Sequence, residues 1–150
     1  MVGIGYDSHR FAAGRRLVLG GVGIEHEMGL DGHSDADVLT HAVIDALLGA
    51  AGGGDIGTMF PDDDERWRDA DSIDLLRTVV GTVSGAILNV DATLICEQPR
   101  LGPYKSEMER LLADATSARV TVKATSNEGM GWIGRGEGIA CIAVAMIQSE

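Results

Sequence analysis

Basic side chains are scarce in this sequence: 12 Lys and Arg stand against 23 Asp and Glu, a formal net charge of −11 at pH 7. A phosphate backbone needs a compensating basic surface, so a nucleic-acid partner is not expected, nor is binding to an anionic membrane. Long apolar runs are also missing. The longest near an end, Ile139 to Ile147, falls far short of a bilayer span. The opening residues Met1-Val2-Gly3-Ile4-Gly5-Tyr6-Asp7 carry no basic n-region and no apolar h-region, so they read as mature structure and a cytoplasmic protein is expected. The two cysteines, Cys96 and Cys141, lie inside apolar stretches without a Cys-x-x-Cys pair. Thiolate zinc and redox chemistry therefore find no support, and buried free thiols in a reducing compartment are expected. Aromatic residues make up only 4% of the chain.

What is present suits one globular domain. The 150 residues, 45% of them hydrophobic, suffice for one packed core and not for two, so residues 1–150 are taken as a single domain. Val2 to Asp7 reads as a strand, followed by a turn at Ala12-Ala13-Gly14. Leu17-Val18-Leu19 and Val22 to Glu25 flank Gly20-Gly21 as a hairpin. Ser34 or Asp35 is placed as the cap of a helix running to about Ala51, whose apolar positions Val38, Leu39, Ala42, Val43, Ala46 and Leu47 have helical spacing. Residues 55 to 70 read as a long loop, of the kind that is more often functional than idle. A second helix starts at Asp71-Ser72 and carries Ile73, Leu75, Leu76, Val79, Val80 and Val83 on its inner side; a third covers Ser106 to Ala115. Asn89 to Glu97, Val120 to Ala124 and Gly138 to Ile147 read as strands, with a turn over Pro99 to Tyr104. The last strand is apolar on both faces, which predicts cover on both sides, and some apolar sheet surface is left for a partner subunit. The class is α/β (α+β) in one domain, with no internal repeat.

The chemistry-bearing residues cluster in three regions. Asp7 and His9, two apart on a strand, project to one face, and the segment His33-Ser34-Asp35-Ala36-Asp37 opens the first helix, with His41 two turns in from its start. One carboxylate and two imidazoles give three protein ligands with a position free, as in a catalytic rather than a structural zinc site. Asp45, at i+4 from His41, is expected to orient that ring by a hydrogen bond or else to be an ordinary helix carboxylate. His33 reads as a helix-start residue or a phosphate contact, and His26 as an exposed polar residue. The second region, Asp55-Ile56-Gly57 with Phe60-Pro61-Asp62-Asp63-Asp64, could bind hydroxyls or a hard cation, or form a solvated turn. The third combines Lys123-Ala124-Thr125-Ser126-Asn127-Glu128 with Gly131-Trp132-Ile133-Gly134-Arg135-Gly136-Glu137-Gly138. Hydroxyls, freed backbone amides, a Lys and an Arg make it a candidate diphosphate cradle, although it matches neither the phosphate-loop nor the dinucleotide pattern.

In register and order over nearly the whole chain, these segments resemble one family, the 2-C-methyl-D-erythritol 2,4-cyclodiphosphate synthases of the non-mevalonate pathway of isoprene biosynthesis. The stretches that carry the resemblance are Gly5-Tyr6-Asp7-Ser8-His9-Arg10-Phe11, His33 to Asp37 through His41 to Asp45-Ala46-Leu47-Leu48-Gly49-Ala50, Gly54-Asp55-Ile56-Gly57 with Phe60-Pro61-Asp62, and Lys123-Ala124-Thr125 through Gly134 to Gly138. The resemblance implies a single ferredoxin-like domain, a mixed sheet with helices on one face, assembled as a homotrimer with active sites between subunits. It implies a phosphorus–oxygen lyase in which the 2-phosphate of 4-diphosphocytidyl-2-C-methyl-D-erythritol 2-phosphate attacks the β-phosphorus and CMP leaves. Asp7, His9 and His41 would hold zinc, and Glu128 a magnesium or manganese ion, while His33 and Ser126 would stabilise the transition state. Ser34, Asp55, Ile56, Gly57 and Asp62 would hold the methylerythritol phosphate. Gln98, Pro99, Arg100, Leu101 and Gly102, with Thr125 and Ser126, would take the cytidine, and Arg135 a phosphate. Ser8, Phe60, Asp64, Asn127 and Trp132 complete the implied substrate contacts.

The chain departs from the family's usual pattern at a few places. Ser126 stands for a Thr, Asn127 and Gly129-Met130 for Thr and Lys-Leu, and Trp132 for Phe, while Gly52-Gly53 loosens a helix end that is usually Ala-rich. None removes an implied metal ligand. Two other readings of the same residues are a metal-dependent phosphohydrolase with water as nucleophile, disfavoured by the lack of a second Asp/His-rich segment, and a zinc- or nucleotide-binding regulatory module, for which an open metal position has no purpose.

Overall fold

The computed structural model describes residues 1–149. A five-stranded mixed sheet carries the fold, in the order β4-β1-β7-β5-β6, with β1 Val2–Ala12, β4 Gly29–Leu30, β5 Ala86–Ile95, β6 Arg119–Thr125 and β7 Gly138–Gln148. The β5–β6 pair is parallel and the other neighbours are antiparallel. The hairpin expected around Gly20-Gly21 forms a separate ribbon of β2 Leu17–Leu19 and β3 Val22–Ile24. Helices α1 Val38–Ala51, α3 Ser72–Val80 and α4 Lys105–Thr116 match the three expected ones to within a few residues, and the one-turn helices α2 Ile56–Met59 and α5 Gly131–Gly134 fall in segments read as loops. No helix among the described residues is long and apolar enough to cross a membrane.

Strand β1 runs on to Ala12 instead of stopping at Asp7, because its partner β7 stays paired through His9↔Ile139 and Arg10↔Gly138. Asp7 and His9 therefore lie inside a strand, on a backbone pinned by ladder hydrogen bonds, which holds their side chains more firmly than a strand end would. Along β1 the inward residues are Gly3, Gly5, Asp7 and His9. The two glycines let α1 settle onto the strand: a Cβ on Gly3 would lie 2.0 Å from the Ala46 carbonyl oxygen, and one on Gly5 would lie 1.9 Å from that of Ala42. Ala42, Ala46 and Ala50, four residues apart, offer the flat stripe that accepts this approach. Leu39, Ile44 and Leu47 from α1, Leu76 from α3, Met108 and Leu112 from α4, and Leu94, Ile139 and Ile147 from the sheet fill the core between the layers.

Asp37, not Ser34 or Asp35, caps α1. Its fully buried carboxylate accepts the Thr40 amide at 3.0 Å and the Gly20 amide at 2.8 Å on Oδ1, and the Gly21 amide and Thr40 hydroxyl, both at 2.8 Å, on Oδ2. One side chain thus starts the helix and ties the β2–β3 turn to it; burial raises the pKa of this acid, and the amide hydrogen bonds work against that rise. Ser34 and Asp35 serve elsewhere. The expectation that the last strand is covered on both faces fails within this chain, since all three long helices pack on the same face. Ile142, Val144 and Met146 remain 39%, 38% and 41% exposed, beside Val2, Ile4 and Tyr6 of β1.

Candidate active site

Close contact between α1 and β1 brings His41 over Asp7 and His9. His9 Nε2 lies 2.8 Å from Asp7 Oδ2, His41 Nδ1 lies 3.2 Å from the same oxygen, and the two ring nitrogens are 3.4 Å apart. One donor atom from each residue falls within 4.8 Å of the other two, a grouping that could hold a metal ion. The donor chemistry fits a divalent ion of the zinc type, with two neutral imidazoles and one carboxylate. Burial alone would raise the Asp7 carboxyl, but its hydrogen bonds to His41 and His9 hold it below the usual carboxylate range. Burial disfavours a charged His9, yet the Asp7 contact and the Asp31 carbonyl, 2.7 Å from Nδ1, raise its pKa overall. The cluster already prefers positive charge between its members.

Asp45 does not orient His41. Its Oδ1 accepts the Ile56 amide at 2.8 Å, which anchors the start of α2 to α1. The far nitrogen of His41, Nε2, instead meets Ser72 Oγ at 2.8 Å and Ser34 Oγ at 3.1 Å. Sequence reading gave Ser72 only a helix start, because its neighbour across the fold, 31 residues away, leaves no local signal.

The metal cluster opens into a cavity of about 460 Å³ lined by His33, Ser34, Ile56, Gly57, Phe60 and Asp62, together with Asp63, Trp67 and Leu75. Most of the residues that the resemblance assigned to the methylerythritol phosphate are thus gathered beside Asp7, His9 and His41. His33 donates from Nε2 to the Asp64 carbonyl at 3.0 Å, which tacks the 61–70 segment over the cavity. Phe60 and Trp67 pack edge to face in its wall, with ring centroids 4.9 Å apart. Asp55 and Asp64 stand outside the cavity lining. Asp55 caps α2 through the Thr58 amide and hydroxyl, both at 2.8 Å, and Asp64 is paired with Arg66 at 2.6 Å.

A separate cavity of about 520 Å³ is lined by Gln98, Pro99, Arg100, Leu101, Gly102, Thr125 and Ser126, with Cys96, Glu97 and Lys105. It collects the residues that the resemblance assigned to cytidine, and it shares none with the first cavity. His33 and Ser126 therefore do not meet within one chain. Ser8 and Trp132 line a third hollow together with His9. Beyond Ser126, Asn127 is half-buried and Glu128 and Gly129 form an exposed turn, with Glu128 at φ 55°, and Glu97 Oε1 accepts the Asn127 and Gly129 amides at 2.9 and 3.2 Å. Glu128 lies outside the Asp7 cluster, and Arg135, expected to meet a phosphate, pairs with Glu137 at 2.7 Å.

Fold and site together define an α+β protein with a three-ligand metal-type centre at the mouth of a cavity that mixes polar groups with an apolar wall. The model of the YgbB family matches residues 1–148. A Rubrobacter xylanophilus protein named 2-C-methyl-D-erythritol 2,4-cyclodiphosphate synthase is 56% identical over 155 residues, covering 98% of this chain and 94% of that protein. Its namesake from Salinibacter ruber is 54% identical over 154 residues, covering 99% of this chain and 98% of that protein. A solved structure of 2C-methyl-D-erythritol-2,4-cyclodiphosphate synthase in a CDP-bound form matches with a TM-score of 0.88 at 34% identity, covering 99% of this chain and all of that one. The chain belongs to the YgbB family of 2-C-methyl-D-erythritol 2,4-cyclodiphosphate synthases.

Proposed function

We propose that this chain converts 4-diphosphocytidyl-2-C-methyl-D-erythritol 2-phosphate into 2-C-methyl-D-erythritol 2,4-cyclodiphosphate and CMP, as a phosphorus–oxygen lyase of isoprenoid precursor biosynthesis. The observation that carries the reading is the Asp7, His9 and His41 cluster at the mouth of the cavity lined by His33, Ser34, Ile56, Gly57 and Asp62. An oxygen of the 2-phosphate bonds to the β-phosphorus while the bond from that phosphorus to the α–β bridging oxygen breaks. CMP departs with the electron pair. Both reacting groups are anions, so positioning and charge neutralisation dominate the barrier.

When bound, a zinc ion on Asp7, His9 and His41 supplies polarisation of a phosphate oxygen, and magnesium or manganese on Glu128 supplies neutralisation of the diphosphate. The chain's own groups do the remaining work. Ser34, Gly57 and Asp62 orient the methylerythritol phosphate, with Ile56 and Phe60 excluding water beside it. The Nε2 of His33 is taken by the Asp64 carbonyl, so Nδ1 is the atom left to face the transferring phosphate, to which it can donate as the imidazolium. Gln98 to Gly102 and Thr125 hold the base and ribose, and Ser126 offers its hydroxyl to the diphosphate.

Strands β1 and β6 are three strand spacings apart, roughly 14 Å, so the two cavities face different stretches of the sheet. The homotrimer implied by the family resemblance resolves this, with the nucleotide cavity of one subunit completing the metal cavity of the next. Incubation with zinc, magnesium and the cytidine diphosphate substrate is expected to release CMP and give a cyclic diphosphate by phosphorus NMR. A linear diphosphate product would mean hydrolysis and would refute the reading.

A further inference from the structure

We propose that Asp35 and Ser72 are positioning residues that lock the tautomer of His41 and so present its Nδ1 to the metal. The inference rests on the metal-centre reading above. A neutral imidazole carries one donor and one acceptor, and the tautomer follows from the partner of the nitrogen that does not bind metal. For His9 that partner is the Asp31 carbonyl, 2.7 Å from Nδ1, which can only accept. In the neutral ring Nε2 then keeps its lone pair for a cation, and only the doubly protonated ring also donates from Nε2 to Asp7. His41 has the opposite arrangement: Nδ1 faces the cluster, 3.2 Å from Asp7 Oδ2, which competes for a ring hydrogen while no cation is bound, and Nε2 faces Ser72 Oγ at 2.8 Å.

A hydroxyl either donates or accepts, so Ser72 alone leaves the His41 tautomer undecided. Asp35 decides it. Its Oδ1 receives the Ser72 hydroxyl and the Asp37 amide at 3.1 Å, and its Oδ2 receives the Ser72 amide at 2.9 Å. With its proton committed to a carboxylate, Ser72 Oγ offers only lone pairs to His41, and Nε2 must carry the hydrogen. Ser34 Oγ, 3.1 Å from the same nitrogen, accepts the Ala36 amide at 3.4 Å and can turn either its proton or a lone pair toward Nε2, so the direction is set by Ser72 and not by Ser34. Ser72 is fully buried and His41 nearly so, hence water does not compete for these groups. The chain Asp35–Ser72–His41 also spans from the segment before α1 to the first residue of α3, so it fixes the ring against both helices.

Two readouts on the whole chain test this, neither of them catalytic. In the metal-free wild type, long-range nitrogen–proton NMR of the histidine rings is expected to show neutral His41 with hydrogen on Nε2 alone. A neutral His41 with hydrogen on Nδ1 would overturn the proposal. By competition with a chromogenic chelator, Ser72→Ala and Asp35→Asn are each expected to weaken zinc binding by about 10- to 100-fold. Ser72→Thr, which keeps the hydroxyl, should retain most of it. Zinc affinity within about twofold of wild type in a folded Ser72→Ala and Asp35→Asn would also overturn it. If Ser72→Ala does not fold, Asp35→Asn decides alone, since it keeps the size of the side chain. A zinc-loaded wild type that gives a linear product would refute the cyclisation while leaving these readouts to decide the relay.

Discussion

At the scale of single residues, the donor atoms of the site differ in how they are held. Asp7 and His9 ride on one strand, whereas His41 arrives from a helix 32 residues later and is clamped from behind. Removing one of three ligands leaves too few donors for tight binding, so His41→Ala is expected to lose stoichiometric zinc by metal analysis. Its circular dichroism spectrum should stay that of the wild type, because the ring is at the edge of the core. The cysteines make a second residue-scale test. Burial pushes the Cys96 thiol up to about 11 and raises Cys141 further still. The thiolate is the reacting form, and at pH 8 a pKa near 11 leaves about one Cys96 in a thousand ionised. Alkylation by iodoacetamide is therefore expected to be slow in the folded protein, to speed up about tenfold per pH unit below that value, and to become fast on unfolding.

At the scale of elements, the helix–strand seam decides whether the site exists. Gly5 has no room for a side chain: a Cβ there would sit 1.9 Å from the Ala42 carbonyl oxygen and 2.7 Å from the Ala46 amide nitrogen. These are backbone atoms of a helix and cannot step aside singly. Gly5→Ala is expected to cost about 3 kcal/mol, read as a lower denaturant midpoint at unchanged slope, because α1 has to lift off β1. Zinc affinity should fall with it, since His41 sits at the first turn of that helix. The segment 55–70, a loop by its sequence, contains α2 and a 3-10 turn at Glu65–Trp67, capped by Asp55 and Asp64, two of the carboxylates that its composition offers to hydroxyls or a cation. An Asp that accepts the amide two or three residues on looks the same in sequence as one that waits for a substrate.

At the scale of the whole molecule, the outer face of the sheet is the unfinished part. Val2, Ile4 and Tyr6 of β1 stand beside Met146, Val144 and Ile142 of β7 in register, and all six are exposed in the single chain. Such a band favours association by burying apolar area. Light scattering is expected to give a particle of about three times the 15.7 kDa chain mass. Val144→Glu should shift it to monomer and abolish cyclisation, because each metal cavity would lose the nucleotide cavity of its neighbour. A monomer that stays active would refute the shared site.

The sequence alone established the strands and helices that follow strong periodicity, such as Val38 to Ala51 and Gly138 to Ile147, because side-chain spacing reports a local face. It also offered Asp7, His9 and His41 as candidate ligands, where residue type and spacing made them plausible and the family resemblance joined them into one set. The fold alone could establish which aspartate caps α1, because Ser34, Asp35 and Asp37 are equally suited locally and differ only in what lies across from them. The same holds for the partner of His41. Asp45 lay at the favourable i+4 spacing, yet α2 claimed its carboxylate, and Ser72 took its place from the start of another helix. Contacts between segments far apart in the chain depend on how the layers dock, and that docking was set by two glycines on β1 against three alanines on α1.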